Sequence, residues 1–289
     1  MISIIICSRK SNISRELTTN IDKTIGCDYE LIVIDNSQNT YSIFEAYNIG
    51  IEKSKGEYLC FIHDDIRFHT TNWGKIVESI FQSEEDIGLI GIAGTKVKSK
   101  MPSAWWDCPK KYRVINIKQH LKSGQIEDWY EGWKNDNIEE VVAIDGVFMA
   151  MKNDGKIIFD EKLKGFHCYD LYLSLKHHIL GKKVIVTNKI LIEHFSVGNL
   201  DKSWVESSNL FHKKYKKYLP IISNKACKLE NLKNKEVNLC ANFISKLIEC
   251  KLYKDAIYWW FEVFKLKPVA KFHYRFWYRI INIMRCWQS

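Results

Sequence analysis

Three short apolar runs, each followed at once by a polar cluster, constrain this chain more than anything else in it. Residues 2–7 run into Ser8-Arg9, residues 30–34 into Asp35-Asn36-Ser37, and residues 58–62 into His63-Asp64-Asp65. Helical patterns over 13–25 and 42–54 separate them, the second ended by Gly56, and a further pair follows: helix 72–83, strand 87–93. The strands are continuously apolar, not alternating. A strand of that kind must be buried on both faces, which predicts a mainly parallel sheet covered by helices in a three-layer α/β/α arrangement.

Further along, residues 99–140 break the pattern. Trp105, Trp106, Trp129, Tyr130 and Trp133 crowd a stretch rich in lysine and asparagine, read as an irregular excursion over the substrate face. Strand character returns at 141–144 and 147–151, around Asp145-Gly146. A helix is expected over 169–180, stopped by Gly181, then short strands at 184–186 and 190–192 leading into Glu193-His194-Phe195. After Pro220 the texture is helical, basic and aromatic, so a boundary near 220 divides a domain of 1–220 from a helical extension of 221–289.

The nine cysteines are scattered and form no CxxC pair, which argues against a disulfide framework or a structural zinc. No stretch approaches the about 20 apolar residues of a membrane span, and no basic leader precedes residues 2–6. A cytoplasmic protein, soluble or peripheral on the inner face of a membrane, is expected. The net charge of +9, with 43 basic against 34 acidic residues, suits a phosphate-bearing partner or an anionic surface.

In open α/β sheets, ligands bind beyond the carboxyl ends of the strands, so the three polar clusters should meet in one crevice. Polar residues after a strand also make ordinary turns. Adjacent carboxylates are less common there, and Asp64-Asp65 suits a hard divalent cation that bridges to a diphosphate. The sequence has no glycine-rich phosphate loop of the GxxxxGK[ST] or GxGxxG type, so a metal would have to neutralise the phosphates. Asp170, at a predicted helix start, would be kept ionised by the helix dipole and could serve as a base or simply cap the helix.

Residues 3–9, 30–37, 47–51 and 55–65 together resemble, in order and spacing, the nucleotide-binding half of glycosyltransferase family 2 with its GT-A fold. His63 ahead of the acidic pair, and the stretch Phe166-His167-Cys168-Tyr169-Asp170, are similar to the StrF-like branch of that family. The resemblance covers about residues 1–215. It implies a nucleotide-sugar site of Ser8, Arg9, Asp35, Asn36, Ser37, Asn48, His63 and Asp64, with Asp35 reading a uracil-like base and Asp64 near the ribose. It implies Mn2+ or Mg2+ on Asp65 and His194, and an acceptor side of Asp145, Gly146, Trp105, Trp106 and His167. Asp170 would be the general base of an inverting transfer from a UDP-sugar to a glycan or lipid-linked acceptor, as in bacterial surface polysaccharide synthesis. His63 stands where many members carry an acid, and Tyr169 where they carry the first acid of the acidic pair that supplies the general base.

Within residues 221–289, the stretch 268–285 fits an anionic membrane surface, and 240–267 fits a helical hairpin packed on the domain or on a second subunit. Two rivals are a nucleotidyltransferase of similar fold and a basic nucleic-acid-binding protein. The first lacks its glycine-rich start. The second is disfavoured because the acids at the strand ends would repel phosphates without a metal, so no nucleic acid is expected as partner.

Overall fold

The computed structural model describes residues 1–134, 137–198, 200–223 and 232–285, with Leu232 and Met284 described through their backbone alone. The remainder of the tail, 224–231 and 286–289, lies outside the described residues. In chain order the strands are β1 (Ile2–Ser8), β2 (Tyr29–Asp35), β3 (Tyr58–Ile62), β4 (Ile66–Phe68), β5 (Ile87–Gly91), β6 (Ala93–Thr95), β7 (Val97–Lys98), β8 (Arg113–His120), β9 (Ile126–Glu131), β10 (Ile138–Val141), β11 (Ala143–Ile144), β12 (Phe148–Lys152), β13 (Lys183–Thr187), β14 (Ile192–His194) and β15 (Ile221–Ile222). The α-helices are α1 (Arg15–Thr24), α2 (Ile43–Lys53), α3 (Trp73–Ser83), α4 (Tyr169–Ile179), α5 (Lys202–Tyr215), α6 (Leu232–Glu249), α7 (Tyr253–Leu266) and α8 (Lys271–Arg285).

The central sheet has the order β10-β13-β5-β12-β3-β1-β2. Its β3-β1-β2 and β5-β13 neighbours are parallel, as the apolar runs require. β12 lies between β3 and β5 and runs antiparallel to both, and β10 is antiparallel to β13, so the sheet is mainly parallel, as expected, with two reversed strands. The run 87–93 also divides, with β5 staying in the central sheet and β6 entering a second sheet of order β11-β6-β8-β14-β4.

Local signals explain the helices. Ser14 caps α1 by accepting the Leu17 N–H, and Ser42 and Glu45 form a reciprocal capping box at α2. α2 lies so close to β1 that a Cβ on Gly50 would sit 2.4 Å from Ile5 Cγ2. The main core runs from the fully buried Ile4, Ile5 and Ile6 of β1 through Phe44, Phe61 and Phe148 to Leu173 of α4.

The stretch 99–140 is less irregular than its composition suggests. It contains the β8–β9 hairpin, with Ile117 opposite Trp129, and β8 pairs in parallel with β14. The helical tail is tied to the domain by several contacts. β15 pairs with β7, Glu236 accepts the Lys100 N–H at 3.0 Å, and α6–α8 share a core with Trp204, Val205, Met101 and Ala104. No helix of the described residues is long and apolar enough to cross a membrane.

Candidate active site

A cavity of about 1010 Å³ opens at the carboxyl ends of β1 and β3, walled by the start of α4, the Asp145–Gly146 turn, the β8–β9 hairpin and the segment after β14. That is at the upper end of the roughly 300–1,000 Å³ of small-molecule sites.

At its floor His63, Asp65 and His194 converge. His63 Nδ1 lies 3.4 Å from His194 Nε2 and 3.7 Å from Asp65 Oδ1, and His194 Nε2 lies 3.5 Å from the same oxygen. Two strand ends deliver them: His63 and Asp65 flank the β3-to-β4 turn, and His194 closes β14, antiparallel to β4. Gln119 on β8 orients the set. Its amide nitrogen donates to the Ser196 carbonyl at 2.6 Å, so its oxygen accepts from His194 Nδ1 at 3.1 Å. The Nδ1–H tautomer leaves His194 Nε2 as a bare lone pair facing Asp65 and His63. On the far side His63 Nε2 is bonded to the Tyr169 hydroxyl at 2.7 Å. Burial, then the neighbouring His194, hold His63 below its ordinary pKa, which favours the neutral ring. Burial pushes Asp65 up, but its contacts with His194 and Ser196 and the neighbouring His63 outweigh it and leave the carboxyl well below the usual range.

Two imidazole nitrogens and a carboxylate oxygen that all lie within 4.8 Å of one another can serve as the donor set of a divalent cation, and these three residues form the one such group among the described residues. His63 therefore belongs to the same convergent set as Asp65 and His194, a place the sequence reading withheld from it.

Of the residues expected to bind the nucleotide sugar, the structure brings Arg9, His63 and Asp64 to the cavity and keeps others from it. Ser8 is fully buried and donates to Asp64 Oδ2 at 2.6 Å, so it orients Asp64 and has no surface for a nucleotide. Asn36 is buried too, its side chain bonded both ways to the backbone of Tyr41. Asn48 faces away, donating to the Phe159 carbonyl at 2.9 Å and to Glu161 at 2.9 Å. Its place in the resemblance reflects a structural lock between α2 and the chain before α4. Asp35, at the end of β2, and Ser37 just beyond it are exposed, and Asp35 accepts the Ser37 N–H at 2.9 Å. That hydrogen bond lowers the Asp35 carboxyl. Neither residue lines the cavity.

On the opposite wall Asp145, Gly146, Trp105, Trp106, His167 and Asp170 all line the cavity. Asp145 accepts from Trp105 Nε1 at 2.7 Å and from the Val147 N–H at 2.8 Å, which spends both of its oxygens. The close approach that Gly146 permits is to Tyr169: a Cβ there would sit 2.2 Å from the tyrosine hydroxyl. His167 bonds Ser203 at 3.1 Å, and Arg9 stacks 4.7 Å over the Phe166 ring, joining the two walls at the rim. Helix α4 enters through Cys168 in a left-handed conformation, φ 65°, an uncommon backbone for a residue with a Cβ.

Asp170 corrects one expectation. Its Oδ1 accepts the Leu171 N–H, and the helix start favours the anion, but burial and then the charge of Asp145 raise it to about 7. A carboxyl poised near neutrality is better matched to moving a proton than a permanently ionised one. Two nearby acids in the turn before α4 are committed elsewhere. Asp160 pairs with Lys214 and Tyr215, and Glu161 bonds Asn48.

The sequence reading missed Gln119, Tyr169 and Ser196 as supports of the cluster, and Arg113, Ile115, Ile117 and Glu131 as cavity wall. The hairpin signal was present: alternate residues of β8 from 113 to 119, with Trp129 and Glu131 of β9, face the cavity. Reading 99–140 as irregular hid that period of two.

Residues 3–225 match a glycosyltransferase-like family, and the chain belongs to it, on the family 2 side of that class. The sequence matches no curated protein. Among solved structures, the chain is similar to GalNAc-T7 with UDP, GalNAc and Mn2+, at 12% identity and a TM-score of 0.51 over 75% of this chain. It spans 49% of that chain, about half its length. This likeness shows the GT-A fold. Weaker likenesses are to Staphylococcus aureus TarS residues 1–349 in complex with UDP-GlcNAc (12% identity, TM-score 0.47, 85% of this chain and 81% of that one) and to A197 from STIV (15%, 0.41, 80% and 98%).

Proposed function

We propose that the protein transfers a sugar from a nucleotide diphosphate sugar, a UDP-sugar, to a hydroxyl of a glycan or lipid-linked acceptor, with inversion at the anomeric carbon. The observation that carries this reading is the meeting, in one cavity, of the His63–Asp65–His194 cluster from one wall with Asp170 from the other. Membership of the family and the UDP and Mn2+ held by GalNAc-T7 support it. His63 before Asp64-Asp65, and the stretch from Phe166 to Asp170, support the StrF-like branch.

His63, Asp65 and His194 would hold Mn2+ or Mg2+, which when bound neutralises the leaving diphosphate as charge develops on it. Two imidazoles and one carboxylate suit Mn2+ better than the all-oxygen preference of Mg2+. Asp64, fixed by Ser8, would take a ribose hydroxyl. Asp170 would accept the proton of the acceptor hydroxyl as it attacks. Trp105 and Trp106, edge to face at 5.5 Å, would offer apolar surface to a sugar ring. Bacterial surface polysaccharide synthesis is the setting that fits such an acceptor. The test is a panel of nucleotide sugars with and without Mn2+, scoring donor hydrolysis and transfer. UDP-sugar turnover that needs the metal is expected. Turnover of no nucleotide sugar, or equal turnover in chelator, overturns the reading.

A further inference from the structure

Helix α8 has two faces of different chemistry. Phe276 and Ile280 are buried against α7. The opposite arc carries Tyr274, 75% exposed, Tyr278, 60% exposed, and Ile281, spaced four and three residues apart and so on one stripe. Trp277 continues the stripe toward α7, where it packs 5.1 Å from Trp260. That ring also touches the exposed Phe261 and Phe264. Aromatic side chains of two helices thus make one exposed patch.

Beside this stripe lie Lys271, Arg275 and Arg279, on adjoining turns of the same helix. No Asp or Glu occurs between 263 and 285, while six lysines and arginines do. Among the described residues Lys267, Lys271 and Arg275 have no acidic partner. Arg279 reaches Glu249 only at 4.0 Å, across solvent. A patch with tyrosine and tryptophan on one side and uncompensated cations on the other matches the interface of an anionic bilayer. Amphipathic rings sit there at headgroup depth and the guanidinium groups meet lipid phosphates. A protein partner would have to supply acids against one stripe and apolar cover against the next.

We propose that α8, with Phe261 and Phe264 of α7, is a docking surface for an anionic membrane. It lies flat in the headgroup region and holds the protein at the bilayer without spanning it. The same helical core reaches the cavity wall through Ala104 and Trp204. The inference does not depend on the sugar-transfer reading, because its test involves no nucleotide sugar.

The experiment is co-sedimentation of the full chain with vesicles of phosphatidylcholine, with and without phosphatidylglycerol. Partition onto the phosphatidylglycerol vesicles only, weakened by added salt, is expected. Arg275→Glu with Arg279→Glu should lower that partition by about tenfold or more, as should Tyr274→Ala with Tyr278→Ala. These side chains are exposed, so the melting temperature of each variant should match the parent and excludes misfolding as the cause. Equal partition onto pure phosphatidylcholine, no partition onto either vesicle, or variants that bind like the parent would overturn the proposal. So would a dimer in solution that Tyr274→Ala with Tyr278→Ala dissociates.

Discussion

The two walls of the cavity are built by different means. The donor wall consists of residues one to three positions beyond a strand: Arg9 after β1, and His63, Asp64 and Asp65 after β3. Their side chains are placed by the sheet register itself, since Ile2–Ile5 of β1 pair directly with 58–61 of β3. The acceptor wall is assembled from Trp105, the β8–β9 hairpin, Asp145 and the start of α4, which meet only through long-range contacts. Ser174 of α4 accepts the Ile144 N–H at 3.2 Å and so clips the Asp170 turn to β11, the strand just before Asp145. A strand-end wall tolerates little variation in its backbone, whereas a wall of loops can change without disturbing the sheet.

The largest effect should come from the donor wall. Asp65→Asn removes the charge that offsets a cation and diphosphate, so Mn2+-dependent binding of UDP should be lost, on the order of 10³-fold or more, with the fold intact. Calorimetric titration of UDP with and without Mn2+ measures it. A variant that still binds UDP in a metal-dependent way would remove Asp65 from the site.

The acceptor wall should respond in rate and not in donor binding. Asp170→Asn should lower kcat by about 10²- to 10⁴-fold while the donor KM stays near its parent value. The product should carry the anomeric configuration opposite to that of the donor. Retention, or full kcat in Asp170→Asn, would move the base to Asp145, at the cost of its bonds to Trp105 and Val147.

The donor wall was the legible one. Apolar runs ending in Ser8-Arg9 and in His63-Asp64-Asp65 are contiguous in sequence, and a strand followed by a turn is a local pattern. Even there, spacing could not say that Ser8, Asn36 and Asn48 point into the protein, because that depends on partners such as Asp64, Tyr41 and Phe159. The acceptor wall was half legible. Asp145 and Asp170 stood out, but Gln119 and Tyr169 act through contacts with His194 and His63 from distant parts of the chain. The antiparallel insertion of β12 also escaped, since an apolar run carries no direction.

A third substitution tests whether the walls are separable. Gly146→Ala belongs to the acceptor wall, yet its Cβ would displace the Tyr169 hydroxyl and with it the hydrogen bond to His63. Mn2+ affinity should fall by about 10- to 100-fold, as it should in Gln119→Ala, which frees His194. Unchanged metal affinity in Gly146→Ala would mean that the tyrosine does not orient His63. The pH dependence of the parent sharpens the same division. Asp170 must be ionised to accept a proton, so kcat should rise with pH to a plateau, with its midpoint near the raised value of about 7. In Asp170→Asn that rise should disappear.

The smallest effect is on stability, and it distinguishes a strained catalytic carboxyl from an ordinary helix cap. Asp170 in the folded protein is raised from 3.8 to about 7, by burial and then by Asp145. The folded state therefore holds the Asp170 proton more tightly than the unfolded state does. Stability is lost as pH rises from about 4 to about 7, and the full loss persists above that. The neutral amide introduced by Asp170→Asn carries no charge and escapes this penalty. The melting temperature of that variant, taken without metal or nucleotide, should equal that of the parent near pH 4. It should then exceed the parent's by a margin that grows up to pH 7 and stays constant beyond. A helix-capping carboxylate gives the opposite sign, because its ionised form is the stabilising one and its loss would lower the melting temperature at neutral pH. A variant less stable than the parent at pH 8 would thus place Asp170 among the caps and leave the acceptor wall without a poised base.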